Sequence, residues 1–337
     1  MTDNKIATVE LGHGGPQVGV QGLGCMGMSE FYGDTDEAAA RETLETALEA
    51  GVTLFDTADV YGRGANEKFL APFVGAHRDE ITLATKFAIE RTDDPQHRGV
   101  RNDPAYIRQA VEDSLRRLNT DVIDLYYMHR RDPAVPLAES VGAMAELVQQ
   151  GKVKQLGLSE VTGAELREAY AVHPIAALQS EWSLFSRDVE RSAVPAAVEL
   201  GVTLVPYSPL GRGFLTGAFT DAAKDLSKGD FRQYQPRFTG DNAKTNAALL
   251  EPVHKIAAAH GASAAQVALA WVQQRAQVHG LTVVPIPGTR RSSRLLENVG
   301  ATRLTLTAEE LALLEPIAGQ VAGDRYPDMS STSAARE

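Results

Sequence analysis

The stretch VTLFDTADVY, residues 52–61, decides the fold of this chain. Its first part, 52–56, is a short run of apolar and β-branched residues, which is typical of a strand buried on both faces. Asp56 ends that run, and Tyr61 follows five residues later in the next loop. A buried strand that ends in polar residues indicates a parallel sheet with a functional site along one edge.

Similar runs recur along the chain and alternate with helical patterns. In 104–118, for example, apolar residues recur every three or four positions behind a capping Asp103, and the helical stripe of 36–50 ends at Gly51. Eight strands that are each followed by a helix can close into a (β/α)8 TIM barrel. The predicted strands are 18–24, 52–56, 81–86, 122–128, 153–158, 175–179, 202–207 and 281–286.

The spacing of the strands predicts one domain over 1–337, with the barrel core at about 18–320 and an N-terminal hairpin before it. The last two strands start 281 − 202 = 79 residues apart, so a long insertion separates them. Its first part, 217–242, is polar and Gly-rich and is predicted to form a lid or a mobile loop, with helices over 243–260 and 263–277. We expect the tail 324–337 to be flexible.

Charge and cysteine content exclude several classes of function. The net charge of −11 has the wrong sign for a nucleic-acid binder or for a protein that docks on anionic membranes. Cys25 is the only cysteine, so the chain forms no internal disulfide and no cysteine metal site, and we expect no metal. Without a signal peptide or an apolar run of membrane-spanning length, the sequence predicts a cytoplasmic protein. It leaves the oligomeric state open.

Three glycines, Gly22, Gly24 and Gly27, spell GxGxxG, the fingerprint of a Rossmann dinucleotide-binding domain. That fingerprint requires a helix that opens at the glycines, whereas the first helical pattern here begins near residue 36. The acidic residue expected about 20 positions later is also missing, since Asp56 lies 56 − 27 = 29 residues beyond Gly27. A Rossmann dehydrogenase is therefore the weaker alternative.

Four polar residues lie at or just after the carboxyl ends of three predicted strands: Asp56, Tyr61, Lys86 and His129. Each alone has an ordinary structural interpretation as a buried ion pair, a loop aromatic or a hydrogen-bonded histidine. Together they suit carbonyl reduction. An ammonium about 4 Å from a phenol attracts the phenolate by roughly 4 kcal/mol at a dielectric of about 20, which lowers the pKa of the phenol by at most about 3 units. Asp56 keeps Lys86 charged, His129 polarises the carbonyl, and a nicotinamide must supply the hydride.

The sequence resembles the aldo-keto reductases from Gly22 to about Pro327. The resemblance implies a (β/α)8 barrel, NADP(H), the reduction of aldehydes and ketones to alcohols, and Asp56, Tyr61, Lys86 and His129 as the catalytic tetrad, with Tyr61 as the proton donor. It is similar to the subgroup of bacterial, yeast and plant reductases with a GTRR-like loop. The matching segments are FDTADVYGRGANEKFL, ATKF, DLYYMHR, VKQLGLSE, LQSEWS, VPYSPLGRGFLTG and IPGTRRSSRLLEN.

The resemblance also implies the contacts to the cofactor. Ser159 and Gln179 match the residues that hold the carboxamide, and Tyr207 matches the aromatic that stacks on the nicotinamide. The ribose and nicotinamide side corresponds to Gly24, Cys25 and Met26, the pyrophosphate loop to Ser208, Pro209, Leu210 and Gly213, and the adenosine end to Gly288, Thr289, Arg290, Arg294, Glu297 and Asn298.

Arg290, Arg291 and Arg294 fall within five residues of an acidic chain, which favours a 2′-phosphate ligand and hence NADPH over NADH. A solvated helix face is the alternative. Two positions depart from many relatives. Glu160 stands where Asn is common, so as a carboxamide ligand its carboxylate only accepts hydrogen bonds, and Gly288 stands where Lys is common.

A nucleotide-binding regulatory protein, similar to the β-subunits of potassium channels, is the alternative function, because those proteins keep the tetrad. The substrate walls are predicted to include Phe31, Tyr32, Arg130 and Trp182, with Phe231 and Tyr234 on the lid. Ordinary loop packing is the alternative for each. Aromatic walls favour aromatic, terpenoid or pyridoxal-like carbonyl compounds.

Overall fold

The structure is a computed structural model that describes residues 5–33, 35–91, 98–219, 226 and 229–337. Within these ranges lie eleven strands and eleven α-helices. The strands β1–β11 are Thr8–Glu10, Gln17–Gly19, Leu23–Gly24, Leu54–Asp56, Thr82–Phe87, Ile89–Arg91, Arg98–Val100, Ile123–Met128, Val153–Ser159, Ala177–Glu181 and Thr203–Tyr207. The helices α1–α11 are Glu37–Glu49, Ala65–His77, Pro104–Leu118, Leu137–Gln149, Gly163–Val172, Ala193–Leu200, Gly240–Ala248, Glu251–His260, Ala264–His279, Ser292–Gly300 and Ala308–Leu314.

Seven parallel strands form a nearly closed barrel in the order β11-β10-β9-β8-β5-β4-β3. The segment 281–288 closes the gap between β11 and β3. It runs parallel to both, with bridges from Val283 to Leu204 and from Gly288 to Gly24. Pro285 and Pro287 have no N–H to donate, which explains why this predicted strand makes only scattered ladder hydrogen bonds. The prediction of a (β/α)8 barrel is confirmed.

The barrel interior is filled by alternate residues of the strands. Leu54 and Ala84 belong to the apolar cluster inside the barrel, and they are two residues before Asp56 and Lys86 on the same strands. Because side chains two apart on a strand share a face, Asp56 and Lys86 also point inward, but at the carboxyl end. The strand register therefore brings the two charges together.

The N-terminal hairpin covers the opposite end of the barrel. β1 pairs antiparallel with β2, and Leu11 and Val18 pack into the interior cluster from below. Gly12 N donates to Thr203 Oγ1 at 2.8 Å, which fixes the hairpin to β11. Solvent is thus excluded from the amino end, and the barrel opens only at the end where the polar residues stand.

Helices α7–α9 occupy the long insertion between β11 and the closing segment. The sequence predicts the insertion and its helical segments, but the stretch 243–260 forms two helices, α7 and α8, and not one. The lid prediction over 217–242 falls partly on positions 220–225, 227 and 228, which lie outside the described residues. The first α-helix begins at Glu37, ten residues beyond Gly27, so the glycine triplet does not open a Rossmann helix. Among the described residues, no helix combines the length and the apolar character needed to cross a membrane.

The predicted flexible tail instead packs against the mouth of the barrel. Arg325 and Ser333 are buried, and the Arg336 guanidinium donates to the carbonyl of Glu160 at 2.6 Å and pairs with Glu165. The small polar residues of 324–337 suggest disorder, but a buried carboxylate on the barrel needs cationic partners, and the tail supplies them.

Candidate active site

A cavity of about 660 Å³ opens at the carboxyl end of the barrel. Asp56 comes from the end of β4, Tyr61 from the 3-10 turn that follows it, and His129 from the residue after β8. All three line the cavity. Lys86 lies directly behind them and is fully buried. The structure therefore brings the four predicted catalytic residues together.

The Lys86 ammonium has three N–H donors, and each has an acceptor. It pairs with Asp56, donates to Thr57 O at 2.8 Å and donates to Tyr61 Oη at 3.4 Å. Because Tyr61 Oη accepts from Lys86, the proton of the hydroxyl must point elsewhere, toward the cavity. This arrangement prepares Tyr61 as a hydrogen-bond donor to a ligand.

Burial has the largest effect on the pKa values of this cluster. Burial lowers the pKa of Lys86, but Asp56 and Tyr61 outweigh that effect, so the pKa of Lys86 lies above its ordinary value and the amine stays charged. Burial raises the pKa of Tyr61, and Lys86 offsets only part of the rise. The expected lowering of the Tyr61 pKa is thus wrong for this structure, because loss of water disfavours the phenolate more than the ammonium favours it.

His129 faces Tyr61 edge-on, with ring centroids 5.9 Å apart and an interplanar angle of 86°. Burial lowers its pKa well below the ordinary value, and Arg130 and Lys86 lower it further, so the imidazole is neutral. Nδ1 is buried without a hydrogen-bond partner in the described part of the chain. We therefore assign the proton to Nε2, which makes His129 a neutral hydrogen-bond donor.

Gln179 and Ser159, predicted to hold a carboxamide, line the cavity near this cluster. Gln179 Nε2 donates to Asp56 Oδ2 at 2.8 Å, which leaves its amide oxygen free to accept. Ser159 Oγ accepts from Arg130 at 3.2 Å and keeps its own proton to donate. The pair thus offers one acceptor and one donor, the complement of a carboxamide.

Most predicted cofactor residues line one continuous groove of the cavity. These are Gly24, Met26, Tyr207, Ser208, Pro209, Leu210, Gly213, Gly288, Thr289, Arg290, Arg294, Glu297 and Asn298, with Arg291 beside them. Helix α10 begins at Ser292, next to Arg291, without a side-chain cap, and an uncapped helix N-terminus favours an anion. Burial and the adjacent Arg291 lower the pKa of Arg294, a sign of crowded positive charge.

Arg290, which the sequence predicts to bind the 2′-phosphate, contacts backbone carbonyls in the structure. Its guanidinium donates to the carbonyls of Gly27 at 3.1 Å and Tyr32 at 2.9 Å. It therefore holds the loop after β3 against the groove, and Arg291 and Arg294 remain for an anionic ligand. A guanidinium has five donors, and carbonyls of an irregular loop satisfy them as well as a phosphate does.

Glu160 and Cys25, two further predicted cofactor residues, lie outside the cavity lining. The Glu160 carboxylate accepts from Arg325 at 2.9 Å, from the Tyr207 hydroxyl at 2.8 Å and from Ser333 N at 3.1 Å. Burial alone raises the pKa of Glu160, but Arg325, Arg130 and these hydrogen bonds bring it down to about 2. Cys25 is fully buried, and burial raises the pKa of its thiol.

Of the predicted substrate walls, Phe31, Tyr32, Arg130 and Phe231 line the cavity. Trp182 does not, since it is buried in the core and its indole N–H donates to Glu190 at 2.9 Å. Tyr234 is 72% exposed and also lies away from the cavity. Two wall residues that the sequence did not indicate are Arg212 and Tyr326. Arg212 lies between Leu210 and Gly213, in the loop predicted to follow the pyrophosphate, so the motif places it near the cavity. Nothing local marks Tyr326, whose position depends on the tail packing over the barrel.

The described part of the chain holds no cluster of His, Cys, Asp and Glu side chains that could bind a metal ion. The site combines a charged cluster at its base, neutral donors and acceptors beside it, and arginines at its far end. This arrangement can bind a long anionic ligand with a neutral head group and can protonate a group held next to Tyr61.

The chain matches known proteins over nearly its full length. A model of the aldo/keto reductase family matches residues 22–318. The chain is 42% identical over 330 residues to probable aldo-keto reductase 1 of Glycine max, covering 97% of this chain and 93% of that protein. Among solved structures, the glycerol dehydrogenase of Gluconobacter oxydans superposes with a TM-score of 0.80 at 26% identity, over 97% of this chain and 99% of that one.

Two further solved structures are similar. A thermostable aldo-keto reductase in complex with the inhibitor epalrestat has a TM-score of 0.71 and 30% identity, over 93% of this chain and all of that chain (100%). An aldo/keto reductase from Klebsiella pneumoniae in complex with NADP and acetate has a TM-score of 0.69 and 26% identity, over 95% of this chain and 99% of that one.

Proposed function

The chain belongs to the aldo-keto reductase family of oxidoreductases, and we propose that it reduces aldehydes and ketones to alcohols with NADPH. The observation that carries this proposal is the Lys86 ammonium, which pairs with Asp56 and donates to Tyr61 Oη at 3.4 Å. A hydroxyl that accepts from an ammonium donates its own proton more readily, because the ammonium stabilises the charge left behind.

Tyr61 donates its proton to the carbonyl oxygen as negative charge develops there. The raised pKa of Tyr61 suits this role in one respect, because the phenol is fully protonated at neutral pH. An alkoxide is a much stronger base than a phenolate, so the transfer remains downhill. Lys86 then balances the phenolate, and Asp56 keeps Lys86 in place.

Neutral His129 donates a second hydrogen bond to the same oxygen from Nε2. Two donors aimed at one oxygen stabilise its charge most when they are fixed in advance, and each is worth roughly 3 to 4 kcal/mol in comparable sites. Burial fixes His129, which is 7% exposed, and the hydrogen bond from the fully buried Lys86 holds Tyr61.

The donor set fits a nicotinamide cofactor. The free amide oxygen of Gln179 and the hydroxyl of Ser159 suit the carboxamide, and the ring of Tyr207, whose hydroxyl is held by Glu160, suits the face of the nicotinamide. When bound, the cofactor supplies the hydride that amino-acid side chains cannot supply.

The far end of the groove supports NADPH over NADH. Arg291 and Arg294 make no ion pair with any described residue, and they lie at the uncapped start of helix α10. Glu297 attracts Arg294 but forms no ion pair with it. Like charges that crowd with so little compensation are stabilised by an anion, and guanidinium groups match phosphate oxygens in pairs. The 2′-phosphate of NADPH provides that anion.

The test is turnover of 4-nitrobenzaldehyde, an uncharged substrate, by the purified protein with NADPH or NADH, measured as loss of reduced cofactor and as alcohol formed. We expect one alcohol per cofactor oxidised and a higher kcat/KM with NADPH. A protein that binds NADPH tightly yet oxidises none of it above the uncatalysed rate would instead be a regulatory nucleotide-binding protein.

A further inference from the structure

Arg130 is a buried cation of the cavity that has no ion-pair partner among the described residues. It follows His129 directly, is 8% exposed and lines the cavity. Its Nη1 donates to His129 O at 2.7 Å and to Ser159 Oγ at 3.2 Å. Its Nη2 and Nε make no hydrogen bond with any described residue. One edge of a buried guanidinium is thus left without acceptors.

The neighbouring carboxylates are already occupied. Asp56 pairs with Lys86, and Glu160 pairs with Arg325 at 2.9 Å. Arg130 also helps to keep Glu160 ionised, but from beyond ion-pair distance, and one carboxylate cannot neutralise two guanidinium groups. No described carboxylate forms an ion pair with Arg130, and arginine cannot lose its proton to escape burial.

A second guanidinium, Arg212, adds to this excess. It is 3.7 Å from Glu181, but Glu181 also lies 3.5 Å from Arg237, so two cations share one anion. Arg212 stands between the rings of Phe231, at 5.2 Å, and Tyr326, at 4.9 Å. The aromatic side chains that line the cavity therefore lie against the positive charge of Arg212.

We propose that Arg130, assisted by Arg212, binds a carboxylate of the substrate, so that this enzyme acts on aldehydes or ketones that also carry a carboxylate. The two free donors on one edge of Arg130 match the two oxygens of a planar carboxylate. Ring contacts with Phe231 and Tyr326 hold the body of the substrate between the carboxylate and Tyr61. This inference rests on the proposed reductase function.

The experiment compares substrates of nearly equal shape that differ in charge: 3-formylbenzoate with its methyl ester, and 4-formylbenzoate with its methyl ester. For at least one pair we expect kcat/KM to favour the carboxylate tenfold or more. Arg130→Met should reduce that ratio at least tenfold, because it removes the ion pair, and Arg130→Lys should retain part of it. Arg116→Met, which removes an exposed charge on helix α3, is the matched control and should keep the ratio.

Two results would overturn the inference. One is a wild-type ratio at or below one for both pairs. The other is an Arg130→Met variant that loses activity equally on carboxylate and ester while its NADPH affinity falls, since Arg130 would then serve the nicotinamide and not the substrate.

Turnover and binding measurements together distinguish a failure of the proposed function from a failure of this inference. If the wild type turns over neither 4-nitrobenzaldehyde nor any of the four compounds, the reductase proposal fails. Calorimetric titration with 3- and 4-formylbenzoate still tests the subsite directly. Binding that Arg130→Met weakens at least tenfold supports it, and no binding to the wild-type protein overturns it.

Discussion

Asp56 and Lys86 stabilise each other inside the protein, and each is costly without the other. Lys86 is fully buried and Asp56 is 3% exposed. A charge that loses its partner therefore gains little hydration in its place. Removal of one member of a buried pair generally costs about 3–5 kcal/mol, whereas replacing both is nearly neutral.

Lys86→Met should therefore lower the free energy of unfolding by about 3–5 kcal/mol and abolish measurable turnover. The double variant Asp56→Asn/Lys86→Met should regain most of the stability and none of the activity. Urea unfolding and NADPH oxidation measure the two effects. A double variant less stable than Lys86→Met would show that the pair is not held by mutual neutralisation.

Glu160 gives a second prediction at the residue scale, through pH. Its pKa is about 2 in the folded protein against 4.5 ordinarily. Because the folded pKa is lowered, its stabilising effect is complete above about pH 4.5 and is lost as the pH falls toward 2, a total of about 3 kcal/mol. Glu160→Gln should lose that stability at pH 7 and show a smaller deficit below pH 4.5.

Urea unfolding at pH 7, 4.5 and 3 measures this deficit, with Glu309→Gln, an exposed position on helix α11, as the control. An equal deficit for Glu160→Gln at all three values would mean that Arg325 does not hold this carboxylate ionised.

At the scale of elements, sequence signals predict structure well where the cause is local. Helix α3 begins at Pro104 behind Asp103, whose carboxylate accepts from Tyr106 N at 3.0 Å, and ends before Asn119 in the left-handed conformation. Both ends are determined by neighbouring residues. The tail 324–337 is packed although its composition predicts flexibility, because its order depends on Glu160, which is far away in sequence.

The same difference between local and long-range causes separates the site residues that the sequence predicts from those that it misses. Asp56, Lys86 and His129 could be found from the sequence because each ends or follows a recognisable buried strand, and strand ends meet at one mouth. Tyr326 lies on a segment without periodicity, and only the tail contacts bring it to the cavity. Arg212 lies in the predicted pyrophosphate loop, but its side chain is placed by its ring contacts with Phe231 and Tyr326. Trp182 follows a strand too, but it stands three residues after Gln179, which lines the cavity, so the alternation of strand side chains turns Trp182 toward the core.

The proposed preference for NADPH assigns the 2′-phosphate to the start of helix α10. Arg294→Ala should raise the Kd for NADPH about tenfold or more, because a charge-assisted hydrogen bond contributes about 1.5–3 kcal/mol, and should change the Kd for NADH much less. Fluorescence titration of both cofactors measures the difference, with Arg116→Ala as the control. If both affinities fall by the same factor, Arg294 does not contact the 2′-phosphate.

At the scale of the whole molecule, the hairpin closes the amino end of the barrel. Positive and negative charges are distributed unevenly over the protein. The chain has a net charge of −11, yet arginines gather at both ends of the cavity. A negative surface around a positive groove directs anionic ligands to that groove and discourages them elsewhere.

The reactivity of the Cys25 thiol shows whether the barrel is folded. Cys25 is fully buried beside the first barrel strand, and burial raises the pKa of its thiol, so it should react with Ellman's reagent only when the barrel opens. Labelling should be negligible in buffer and complete in denaturant. Rapid labelling of the folded protein would mean that β3 is not packed as the structure has it.

The proposed reaction depends above all on the Tyr61 hydroxyl as the proton donor. Tyr61→Phe removes only the hydroxyl, and kcat with 4-nitrobenzaldehyde should fall about 10²- to 10⁴-fold while the Kd for NADPH, measured on the same preparation by fluorescence titration, stays within about threefold of the wild-type value. A Tyr61→Phe variant that binds NADPH normally and keeps wild-type kcat would contradict the account.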